Sequence, residues 1–129
     1  MGNESAPQPT LTLPTPAALL ETQQQVLAIV AANAPLSESL GAIARFAEAS
    51  IPGMQASVLY FDHYANRLAR GGYGSLPASF QELVDGLVPG PASGSCGTAA
   101  YRRERAISED VFEDPLWAGF HEGCREYAI

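Results

Sequence analysis

Lysine is absent from this chain. Its 7 basic residues, all arginine, face 14 acids, for a formal charge of −7 and a pI near 4.6. With no basic stripe to neutralise a run of phosphates, nucleic acid is not expected as a partner, nor is an acidic membrane surface. No apolar stretch approaches the roughly 18–20 residues that cross a bilayer, so no membrane insertion is expected. Met1-Gly2-Asn3-Glu4-Ser5 has neither the basic nor the apolar region of a secretory signal, and cytoplasmic localisation is the expectation. Cysteine is scarce. Cys96 and Cys124 are too few and too far apart for a zinc knuckle, and in a reducing compartment they stay free thiols. His63 and His121 stand apart from each other and complete no metal signature.

What remains is a chain of 129 residues, 47% hydrophobic, which supports one domain with a core of its own. Pro7, Pro9, Pro14 and Pro16, interleaved with Thr, Gln and Ser, remove backbone donors and mark residues 1–15 as a flexible tail. The domain, 16–129, opens with a Thr15 cap, Pro16 at the first helical position, and apolar residues Leu19, Leu20, Val26, Leu27 and Val30 at helical spacing. Asn33-Ala34-Pro35 stops that helix, and Ser37 caps a second one that ends before Ile51-Pro52-Gly53. Residues 56–61 and 67–72 then read as a hairpin around the turn 62–66. Pro77 starts a short helix, 89–94 is a loop, and the small residues of 95–101 suit a closely packed helix. Arg105 to Ser108 reads as a brief strand, and Asp114-Pro115 caps a last helix running to about Tyr127.

This order of elements carries the string Gly94-Ser95-Cys96-Gly97-Thr98-Ala99-Ala100-Tyr101, followed by Ile107-Ser108-Glu109-Asp110-Val111 and Asp114-Pro115-Leu116-Trp117. Over about residues 20–129 it resembles a GAF domain, of the branch found in bacterial histidine kinases of two-component systems and in cyclic-di-GMP enzymes. The resemblance implies an α+β, PAS-like fold: a central antiparallel sheet flanked by helices, with a small ligand pocket on one side. It also implies further C-terminal strands beside the first one, which this sequence lacks. The expectation is a domain incomplete at its C-terminus, or a minimal variant that closes its sheet by dimerising.

A Gly-rich turn entering a helix frees backbone N–H groups and adds the positive end of the helix dipole, so Ser93, Gly94, Ser95, Cys96, Gly97 and Thr98 are candidate ligand contacts, possible anion donors among them. Tyr60 and Trp117 are candidate walls. The alternative is that Ser93 or Ser95 caps the helix while the glycines permit close packing. Within the superfamily, nitrate, cyclic nucleotides, tetrapyrroles and haem are all ligands, so resemblance alone leaves the effector and any cofactor unidentified. A thiol at a helix N-terminus also admits an enzymatic reading, because free methionine-(R)-sulfoxide reductases are GAF proteins with a similar cysteine segment. Cys96 would then be the nucleophile and Cys124 the resolving thiol. Against that, Cys96 reads as a buried, inert thiol and Cys124 as part of a polar helix surface. The acids Glu109, Asp110, Glu113 and Asp114 lack the spacing of a calcium loop and read as a solvated face. The first helix has more apolar surface than one contact needs, consistent with a homodimer interface or plain core packing. A non-catalytic sensor feeding an output kinase or cyclase domain is the leading expectation; the reductase and a ligand-free dimerisation domain are the alternatives.

Overall fold

A computed structural model describes residues 13–126. Most of the expected tail, 1–12, and the expected helix end at Tyr127 lie outside the described residues. The fold is α+β, with five helices and a two-stranded antiparallel sheet among the described residues.

Helix α1, Pro16–Ala31, starts as its sequence predicts: the Thr15 hydroxyl accepts from the Ala18 N–H at 3.2 Å, and Pro16 holds the first position. Asn33, at φ +61°, turns the chain into α2, Leu36–Ser50. Ser37 does not cap α2. Pro35 occupies the cap position, and its carbonyl accepts from the N–H groups of Glu38 and Ser39, which places Ser37 inside the first turn. α1 half-buries Leu19, Thr22, Val26 and Ile29 and packs chiefly on α2, so the two form an antiparallel helical hairpin.

Strands β1, Ser57–Asp62, and β2, Arg67–Tyr73, form the predicted β-hairpin. The Asp62 carboxylate closes its turn by accepting from the N–H groups of Tyr64 and Ala65 at 2.9 and 3.1 Å. The register jumps between Val58, opposite Gly72, and Leu59, opposite Arg70, leaving Gly71 as the extra residue of a bulge. There α2 lies directly on the sheet. A side chain at Gly72 would collide with the backbone of Leu40 and Gly41, so only glycine permits this approach. Glu48 fastens the same helix to both ends of the hairpin. Its Oε1 accepts from the Ala56 N–H at 2.9 Å, the Ser75 N–H at 2.7 Å and the Ser75 hydroxyl at 3.0 Å.

Helix α3, Ala78–Val84, buries Phe80 and Val84. The chain then runs along the outer edge of β2: the Leu68 N–H donates to the Leu87 carbonyl, the Gly86 N–H to the Leu68 carbonyl, and the Arg70 N–H to the Asp85 carboxylate. Helix α4, Gly94–Arg102, ends on Arg103 in the left-handed region. Two expectations are corrected beyond it. Residues 105–108 form no strand; nothing among the described residues pairs with them, and Ser108 instead turns its side chain toward Trp117. The last helix is also broken. Asp114 caps only a 3-10 turn, Pro115–Trp117, and the chain passes through Gly119 before α5, His121–Glu126.

Candidate functional site

The start of α4 faces a cavity of about 30 Å³. One wall is Ser57 and Leu59 of β1, a second is Phe80 and Val84 of α3 with Leu87, and a third is Ser93–Cys96; Trp117 and Phe120 close it. Gly94 lies against the Trp117 ring. Its φ of +64° favours glycine, and a Cβ there would already stand 3.6 Å from the Trp117 ring. Trp117 is held in place by its Nε1–H, which donates to the Ser108 hydroxyl at 2.9 Å and the Ser95 hydroxyl at 3.2 Å. Ser108 also hydrogen-bonds to Asp114, and with the Leu116 N–H this holds the Asp114 carboxyl below its usual range. The acidic segment thus anchors the lid residue through a short polar chain. No group of metal-ligating residues is present among the described residues.

Neither serine caps α4. The Ser93 hydroxyl donates to the Val88 carbonyl at 2.7 Å, and its N–H donates to Thr98 Oγ1 at 3.1 Å. Consequently the N–H groups of Gly94, Ser95 and Cys96 have no oxygen acceptor among the described residues. Ser93, Gly94, Ser95, Cys96 and Trp117 come together on the cavity; Tyr60, Gly97 and Thr98 do not. Tyr60 sits one residue from Leu59, so strand alternation sends it to the opposite face, where it is exposed. Gly97 packs against Ser93, whose side chain leaves no room for a Cβ, and Thr98 is wholly buried as the acceptor for Ser93.

The two thiols exchange the surroundings expected of them. Cys96 is exposed, although the atoms around its sulfur push its pKa up, whereas Cys124 is 0% exposed inside α5, and burial raises its pKa as well. His63 is exposed beside Phe61, while His121 is half-buried with Nε2 2.9 Å from the Val111 carbonyl; neither lines the cavity. The Tyr73 hydroxyl oxygen, on the strand residue opposite Ser57, is buried with no hydrogen-bond partner among the described residues. Burial first, and then the Asp85 charge, raise its pKa. Sequence reasoning missed Phe80, Val84, Leu87 and Phe120, whose apolar spacing signals core rather than a site.

No family model matches this chain. A search of curated proteins finds it similar to a methyl sulfide methyltransferase-associated sensor of Methanosarcina acetivorans, with 34% identity over 110 residues. That stretch is 85% of this chain and 11% of the relative's length. No solved structure matches. Among the described residues, no helix is long and apolar enough to cross a membrane.

Proposed function

We propose that this chain is a sensory regulatory module of the GAF type, which binds a small-molecule effector in the cavity beside α4 and carries no catalysis of its own. The observation that carries the reading is the small, largely apolar hollow between β1, α3 and the start of α4, beside which Trp117 is fixed by two hydrogen bonds. Packed cores leave few voids larger than a water molecule. The similarity to a protein named as a sensor supports the regulatory role. Thiol chemistry is disfavoured. A nucleophilic cysteine needs a lowered pKa, and both thiols are pushed the other way.

In this reading the ligand acts by binding one arrangement of the helices better than another, since only differential affinity shifts an output equilibrium. A homodimer through α1 would relay that shift to an output kinase or cyclase domain of a bacterial signalling protein. Native mass spectrometry for a retained small molecule, followed by Trp117 emission during titration of the retained compound, tests the reading. A mass increment together with a saturable emission change is the expected outcome. A protein that retains nothing, and whose Trp117 responds to no nitrate, carboxylate, nucleotide or apolar probe, is a scaffold and not a receptor.

A further inference from the structure

Resting on the reading of this cavity as the effector site, we infer that its ligand is a small, neutral, apolar molecule of a few heavy atoms. Leu59, Phe80, Val84, Leu87, Trp117 and Phe120 supply most of the wall, and no charged side chain lines it. The polar groups in the wall are largely committed to one another: Ser93 to Val88, and Ser95 to Trp117 and Ser108. Among side chains, only the Ser57 hydroxyl and the Cys96 thiol remain to meet one weakly polar atom of a ligand, beside the unpaired N–H groups of Gly94, Ser95 and Cys96.

Size points the same way. A volume of about 30 Å³ holds roughly two water-sized positions, so it has no room for a cyclic nucleotide, a tetrapyrrole or haem. A small anion meets a different obstacle. It would exchange its hydration for ring and methyl groups with no cation in the wall, and only the dipole and unpaired N–H groups of α4 would offset that loss. Apolar hollows of this kind instead stay dry and accept apolar guests.

The test uses the whole chain with ¹³C-labelled methyl groups. Under xenon pressure, the Leu59, Val84 and Leu87 methyl resonances should shift saturably and Trp117 emission should be quenched. Nitrate and acetate should leave the Gly94, Ser95 and Cys96 amide resonances unmoved. Val84→Leu and Ser57→Leu fill the cavity from opposite walls, and whichever keeps the wild-type melting profile should weaken xenon binding at least tenfold. Xenon shifts that persist in a folded filled variant would place the guest elsewhere and overturn the inference. Saturable amide shifts with nitrate or acetate and none with xenon would overturn the neutral ligand yet retain the site. Silence from every probe would remove both the ligand class and the receptor reading.

Discussion

Trp117 closes the cavity with one ring nitrogen bonded to two hydroxyls, so its position depends on polar contacts that a sequence does not display. Trp117→Phe keeps the apolar face and deletes the donor. The expected loss is about 1 kcal/mol of stability, with a wider and less rigid cavity, and urea unfolding of the two proteins side by side checks it. Gly94→Ala isolates the backbone contribution: the new methyl has room, but φ +64° costs a side-chain-bearing residue about 1–2 kcal/mol. A melting point equal to wild type would mean that the turn relaxes into ordinary helix. Gly94, Ser95, Cys96 and Trp117 were legible in the sequence, because a glycine turn before a helix and a lone tryptophan are local signals. The side of the sheet that Tyr60 takes was not legible, since a strand apolar on both sides gives no parity clue. The role of Ser108 depends on a residue brought in from the 3-10 turn, which its own neighbours in sequence do not signal.

At the scale of elements, the boundaries of α1, α3 and the hairpin follow from caps, prolines and turn residues, which is why they were readable. The joint between them was not. Glu48 binds Ala56 and Ser75, 8 and 27 residues away, and no periodicity announces a carboxylate that bridges a helix to a hairpin. Hydrogen bonds from the Ser75 and Ala56 amides hold its pKa below the ordinary 4.5. A carboxyl with a lowered folded-state pKa contributes stability above its unfolded value, and that contribution disappears as pH falls through the folded value. Glu48→Ala should therefore cost about 1–2 kcal/mol at pH 7, less than fully buried bonds would because the site is partly solvated. The cost should shrink as pH falls below the ordinary 4.5 and through the lowered folded-state value, where the wild-type carboxyl becomes protonated. Urea midpoints of both proteins from pH 7 to pH 3 measure this; a cost independent of pH would mean that packing, and not charge, holds the joint.

For the molecule as a whole, the distribution of apolar surface is uneven. Among the described residues the buried hydrophobic core is confined to Ala42, Ala44, Leu68, Phe80, Val84 and Cys124, whereas Leu20, Leu27 and Val30 of α1 remain 55%, 59% and 50% exposed. No residue of α1 is buried, and Glu21 is its one charged side chain, so the helix presents an almost uncharged apolar ridge in a molecule of net charge −7. Like-charged copies repel least where they carry fewest charges, which makes α1 the face on which two copies meet at lowest electrostatic cost. Leu20 and Leu27 lie seven residues apart on the exposed side, the spacing at which a second helix packs alongside. Association that favours the folded state raises the melting temperature with protein concentration. A wild-type midpoint that climbs over a hundredfold concentration range is the expected result, with Leu27→Glu abolishing the climb. Because Leu27 is already exposed in the single chain, Leu27→Glu should leave the midpoint at low concentration within about 0.5 kcal/mol of wild type. Sedimentation equilibrium on the same samples separates the possibilities: a monomer at all concentrations, or a dimer indifferent to Leu27→Glu, would remove α1 as the meeting surface.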